Sequence, residues 1–144
     1  MTKRLGIFLI LLIVLILGVH AWAVVNAGYY KIWWLDIALH FAGGFWIVAF
    51  VFWFLLYRAT RLNVPSWMLL VSFVSFSVLI GVFWEFFEFS FDYFARFYDV
   101  APAQLGLSDT LSDLLFDFLG ALIASIYFLY FYTRKLPSDD IMST

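Results

Sequence analysis

The sequence has no cysteine, so a disulfide framework, a thiolate metal site and a cysteine nucleophile are all excluded. Charge is nearly as scarce. Asp, Glu, Lys and Arg make up 12% of the 144 residues, where a soluble domain carries about a quarter. There is no basic run and no glycine-rich phosphate loop, which leaves nucleic-acid and nucleotide binding without support. What is present is apolar: 66% of the residues are hydrophobic and 24% are aromatic. Soluble globular and disordered chains both fit that composition poorly, and a membrane protein of a single domain fits it well.

Four apolar runs are long enough to cross a bilayer, at about 5–26, 35–57, 66–89 and 109–132. The first follows Lys3 and Arg4 and passes through Ala21-Trp22-Ala23, a small-x-small pattern of the kind that signal peptides carry. The apolar run continues beyond it, so a retained first helix is expected. Residues 26–34 read as a short loop with Tyr29, Tyr30, Trp33 and Trp34 as interfacial anchors. Arg58, Arg61, Asn63 and Pro65 form the next connection. Residues 89–107 form the longest one; its aromatic first half either lies at the interface or prolongs the third helix, and Pro102 and Gly106 break it.

With the N-terminus inside, Lys3, Arg4, Arg58, Arg61, Arg134 and Lys135 share one side, and only Lys31 and Arg96 lie on the other. That bias places both termini in the cytoplasm. The expected fold is all-α: a polytopic transmembrane bundle of four helices.

On that topology the acids gather at the outer end. Asp36 begins the second helix, Glu85 and Glu88 close the third, and Asp109, Asp113 and Asp117 begin the fourth; Asp92 and Asp99 lie in the outer connection. Only Asp139 and Asp140, of ten acids, fall on the inner side. Residues four apart share a helix face, so Asp109, Asp113 and Asp117 form a ladder about 12 Å tall. Asp109 and Asp113 also suit a helix start, with Thr110-x-x-Asp113 resembling a capping box. Asp117 lies two turns deeper, where an acid costs at least about 2.5 kcal/mol and needs a partner. Asp36 and His40 stand one turn apart, followed on the same face by Gly44. Glu85, Glu88 and Asp92 share a face with Gly81 and Ser77, although Asp92 also suits a wet helix end. His20, in the outer third of the first helix, reads more readily as structural.

Six carboxylates (Asp36, Glu85, Glu88, Asp109, Asp113, Asp117) face few cations: Lys31, Arg96 and a protonated histidine. Either protons or one or two divalent cations must balance them. Oxygen-rich sites with one imidazole suit Mg²⁺, Mn²⁺ or Zn²⁺. Glu85, Glu88, Asp109, Asp113, Asp117 and His40 are the expected metal ligands. His40, held by Asp36, is the expected catalytic pair, with His40 as ligand or general base. The pattern differs from the Glu-x-x-His pairs of di-iron bundles.

Three blocks carry a family resemblance: Asp36-x-x-x-His40-Phe41-x-x-Gly44-Phe45, Trp84-Glu85-x-x-Glu88-Phe89, and Asp109-Thr110-x-x-Asp113 followed by Gly120-Ala121. Together they resemble the YjdF-type proteins, small bacterial inner-membrane proteins of unknown function. The polar stripe before Gly120-Ala121 is more weakly similar to the VanZ-like proteins. Asp117 departs from the pattern, which is usually apolar there. The resemblance implies a bacterial cytoplasmic membrane location and a shared polar site, but no reaction. The expected function is a divalent-metal-dependent membrane enzyme acting on a lipid or lipid-linked phosphate. The alternatives are a proton- or cation-coupled transporter, against which the apolar inner half argues, and an accessory protein without catalytic activity. The expected partner is a membrane lipid, and association into a homo-oligomer is left open.

Overall fold

The computed structural model describes residues 2–58, 64–98 and 102–133. Among these the chain is helical, without strands. Helix α1 spans Thr2–Asn26, a short α2 spans Gly28–Lys31, α3 spans Leu35–Arg58, α4 spans Ser66–Ala95 and runs into a 3₁₀ turn at Arg96–Tyr98, and α5 spans Leu107–Thr133. Four of them are long and apolar enough to cross a membrane, over Lys3–Asn26, Leu35–Leu55, Ser66–Tyr98 and Leu107–Phe131. Arg61, Asp99, Arg134, Lys135, Asp139 and Asp140 lie outside the described residues.

Two boundaries differ from the sequence expectation. Residues 26–34 are not a plain loop. Ala27 turns the chain with φ 51°, and α2 then tucks Tyr29 inward, 6% exposed, while Tyr30, Trp33 and Trp34 stay outside as interfacial anchors. Helix α4 continues six residues past 89, to Ala95. Its thirty residues give a rod about 45 Å long at 1.5 Å each, more than the ~30 Å hydrocarbon core. The aromatic stretch after Phe89 therefore prolongs the helix.

Surface and interior are inverted relative to a soluble bundle. Ile10, Leu11, Val14, Phe83, Phe86, Phe89, Ile123 and Ile126 are exposed, which a hydrocarbon solvent permits. The buried set includes Asp36, His40, Ser77, Glu85, Glu88, Asp113, Asp117 and Ser125. Toward one end, α3, α4 and α5 enclose an apolar core of Val48, Phe52, Leu69, Phe73, Val74, Ala121, Ala124 and Leu129. Toward the other, the end that carries α2 and the α4–α5 connection, the interior is polar. Ser77 and Ser125 satisfy their hydroxyls on the carbonyls of Gly44 and Ala121.

Helix α3 is central. It packs against α1, α4 and, most extensively, α5. Glycines set that last contact. A Cβ on Gly44 would run into the backbone oxygen of Asp117, and one on Gly120 into the backbone oxygen of Phe41. Small residues let membrane helices approach until backbone touches backbone. Here the approach brings Asp117 against α3. Among the described residues the α1 backbone comes close to that of α3 but not to those of α4 and α5, and His20 of α1 reaches Trp84 of α4 by its ring. The Trp46 indole N–H donates to the Leu9 carbonyl at 2.8 Å and fastens α1 in place.

Candidate functional site

His40 is the hub of the polar end. One helical turn separates it from Asp36 on α3, and both are more than nine-tenths buried. Its Nδ1–H donates to Asp117 Oδ2 at 3.3 Å. Its Nε2 faces the other way, 3.7 Å from Asp36 Oδ1 and 3.8 Å from Glu85 Oε1. The carboxylate that holds the ring is thus Asp117 across the α3–α5 contact, not Asp36 on the same helix. Gly81 on α4 makes room for it, since a Cβ there would occupy the place of Asp117 Oδ2.

Glu85, Glu88 and Asp113 gather about the His40 ring. Glu85 and Glu88 come from α4 and are 6% and 2% exposed; Asp113 comes from α5 and is 2% exposed. Three overlapping triples bring one donor atom each within 4.8 Å of one another: Asp36/His40/Glu88, His40/Glu85/Asp113 and Asp36/Asp109/Asp113. Glu88 Oε1 accepts from the Trp84 indole N–H at 3.0 Å. Glu85 Oε2 accepts from Gln104 Nε2 at 3.0 Å. Among the described residues, two buried side-chain oxygens accept no hydrogen bond: Glu85 Oε1 and Asp113 Oδ1. The two residues that carry them share the His40/Glu85/Asp113 triple. Neither cation assigned to this side by sequence reaches the cluster. Lys31 Nζ bonds the Asn26 carbonyl at 2.6 Å, and the Arg96 guanidinium lies over the Tyr93 and Phe97 rings at 4.1 and 4.9 Å.

The rungs of the α5 ladder have separate tasks. Helix α5 begins at Leu107, so Thr110 lies inside the first turn rather than at a cap, and no capping box forms with Asp113. Asp109 Oδ2 accepts from the Leu105 N–H at 2.8 Å and is half-buried, joining only the all-carboxylate triple. Asp113 enters two triples. Asp117 enters none and serves the far nitrogen of His40.

Three contributors escaped the sequence. Gln104, between Pro102 and Gly106, bridges Glu85 Oε2 and the Thr110 hydroxyl at 3.0 Å each. Asp92 fixes it there by accepting from the N–H groups of Ala103 and Gln104, both at 2.9 Å. A lone amide in a loop has no periodicity to betray its direction; only its neighbourhood to Pro102 hinted at a fixed turn. Tyr29, read as an anchor, shares a hydrogen bond of 2.6 Å with His20 Nδ1. Burial, reinforced by the charges of Asp36, Glu88 and Asp113, pushes the Tyr29 phenol up, so it stays protonated and donates. The His20 ring stands edge-on to Trp84 at 5.0 Å. His20 therefore belongs to the wall around the site and not to the carboxylate cluster.

These features define an all-helical integral membrane protein with a buried histidine–carboxylate centre between three of its spans. The chain belongs to the family described as "Predicted membrane protein (DUF2238)", which matches over residues 2–135. An uncharacterized protein of Thermotoga maritima is 37% identical over 94 residues, covering 64% of this chain and 46% of that protein. The chain thus spans about half the length of that relative. No solved structure matches the chain.

Proposed function

We propose that the centre binds a divalent cation through His40 Nε2, Glu85 and Asp113, and that the protein is a metal-dependent membrane enzyme acting on a lipid or lipid-linked phosphate. The observation that carries this is that Glu85 and Asp113, each with a buried oxygen that accepts no hydrogen bond, fall in one triple with His40, whose Nε2 lies 3.8 Å from Glu85 Oε1. An unsatisfied buried carboxylate oxygen costs more than about 1–3 kcal/mol, so a positive occupant is expected. The 3.8 Å between Nε2 and Glu85 Oε1 is too long for a hydrogen bond. The two atoms are close enough for one cation between them to be held by both. Asp117 supports the same reading, because a ligating histidine usually gives its other N–H to a carboxylate, which fixes tautomer and ring orientation. One imidazole among oxygens suits Zn²⁺ or Mn²⁺, and the all-carboxylate triple suits Mg²⁺.

A cation in this position supplies charge for a phosphoryl oxygen and acidifies a bound water. The protein's own residues do the rest. Asp117 keeps Nδ1 protonated and Nε2 aimed at the centre. Asp36, 3.7 Å from Nε2, is placed to take a proton from water as it attacks phosphorus and to return that proton to the lipid oxygen as its bond to phosphorus breaks. Gln104 and Trp84 hold Glu85 and Glu88 in register. The apolar helices around the site keep bulk water out.

The likeness to YjdF-type and VanZ-like proteins belongs to this proposal, as does a bacterial inner-membrane location with both termini in the cytoplasm. The lysine and arginine bias supports that orientation, which turns the centre outward. The test is release of inorganic phosphate from lipid phosphates by the protein in liposomes. EDTA is expected to stop it, Mn²⁺, Zn²⁺ or Mg²⁺ to restore it, and Asp113→Asn to lower it at least a hundredfold. Release that ignores EDTA, or no release from any lipid phosphate, would sink the enzymatic reading.

A further inference from the structure

Beside the centre lies a cavity of ≈ 170 Å³. Its walls are Ile13 and Leu17 of α1, Leu39 and Ile47 of α3, and Ile80 of α4. Asp36, His40 and Asp117 line the end nearest the centre, so the cavity borders the site, although nearly all the surface it presents is apolar. Among the described residues the α1 backbone comes close to α3 but not to α4, which α1 meets through the His20–Trp84 ring contact, so α1 and α4 face each other as the banks of a groove. Leu17 and Ile80 line the cavity yet are 47% and 36% exposed, so the mouth lies between them, at span depth. At the α2 end the groove is closed. Tyr29 bonds His20, and the His20 ring meets Trp84.

From this we infer that the groove between α1 and α4 admits one hydrocarbon chain of a membrane lipid sideways from the bilayer, with the lipid's polar end at the His40 cluster. The inference rests on the proposed lipid-phosphate reading and specifies how that substrate is held. The chemistry of the lining selects the occupant. Among the described residues no lysine or arginine lines the cavity, so these walls offer no cation to an anionic head. The end nearest the centre is acidic and accepts an anion only where a cation has been bound. The aliphatic walls match a hydrocarbon chain, and the lateral mouth opens onto the phase that supplies one. A water-soluble substrate would instead have to pass the Tyr29–His20–Trp84 closure.

Gly43 offers the means to test this. A Cβ there meets only Asp117 Oδ1, at 3.9 Å, in ordinary contact. Gly43 lines the cavity, so a longer side chain grows into the space the lipid chain would occupy. The probe is dodecyl phosphate with a diazirine at the chain end, photolysed on the full-length protein in lipid nanodiscs and mapped by mass spectrometry. The wild type is expected to label at Ile13, Leu17 and Ile80. Gly43→Leu is expected to cut that labelling at least tenfold with metal content unchanged; Leu17→Trp, which narrows the mouth, serves if Gly43→Leu does not fold. Unlabelled dodecyl phosphate should compete and inorganic phosphate should not. Labelling confined to outward residues such as Phe83 and Phe86, labelling undiminished in both variants, or cross-links between two copies through this groove would each overturn the inference. Metal binding without groove labelling would overturn the inference and leave the metal centre standing, whereas groove labelling by dodecanol carrying the same diazirine, in a protein that takes up no metal, would remove the centre and keep the groove.

Discussion

His40→Ala is expected to destabilise the protein by about 3–5 kcal/mol, the range seen when one partner of a buried ionic pair is deleted. The side chain is 6% exposed and its ring meets carboxylates from all three helices: Asp36 on α3, Glu85 on α4 and Asp117 on α5. Removing it takes from Asp117 the donor that bonds it, and leaves three acids facing a void in a low-dielectric interior. The same change removes the one nitrogen donor from the proposed metal site. His40→Gln separates the two effects, because an amide can still donate to Asp117 while binding metal poorly. Thermal unfolding in detergent and metal content, measured on both variants, check this. Wild-type stability together with wild-type metal content in His40→Ala would show that the imidazole is not the hub.

The second large effect lies in the backbone contact. Gly44→Ala adds a methyl that meets the Asp117 backbone, whose carbonyl carbon lies 2.8 Å from the new atom; Gly120→Ala adds one that meets the Phe41 carbonyl carbon and the Phe45 nitrogen, each at 3.0 Å. Backbone atoms cannot rotate aside, so α3 and α5 must separate. Overpacking of this kind costs about 1–3 kcal/mol, and more where two backbones meet. The separation also lengthens the 3.3 Å bond from His40 to Asp117, so loss of the site should accompany loss of stability. Gly18→Ala is the control, since nothing lies within 4 Å of its added methyl. It is expected to leave the unfolding midpoint where it was or raise it slightly, because alanine favours a helix over glycine by up to about 1 kcal/mol. Equal midpoints for Gly44→Ala and Gly18→Ala would contradict the close approach.

The contrast between these glycines shows where sequence reading succeeds and stops. The spans were legible because a bilayer demands about twenty apolar residues in a row, and the four runs supply them. The gathering of Asp36, Glu85, Glu88, Asp113 and Asp117 at one end was legible once alternating spans were drawn. The pairing inside that cluster was not. Asp36 and His40 are one turn apart, so periodicity offers them as partners, and the 3.7 Å between them shows how near that comes. The shorter contact, to Asp117, depends on Gly44 and Gly120 bringing two backbones together, which no single-helix pattern encodes. Asp117 looked like the acid with the weakest structural excuse; its excuse is a histidine 77 positions earlier. Asp109 and Asp92, which carry the same carboxylate chemistry, were drawn instead into fastening the α4–α5 connection. Loop geometry made that choice, and loops lack the period that makes helices readable.

The central claim is that two buried, unpartnered carboxylate oxygens and His40 Nε2 hold a cation. The most direct measurement is elemental analysis of the protein purified without chelator, beside Glu85→Gln and Asp113→Asn prepared identically and shown to be folded. The account predicts about one divalent ion per wild-type chain and loss of that ion from both variants. A wild type that remains metal-free after exposure to Zn²⁺, Mn²⁺ and Mg²⁺, or folded variants that keep the same ion, would contradict it.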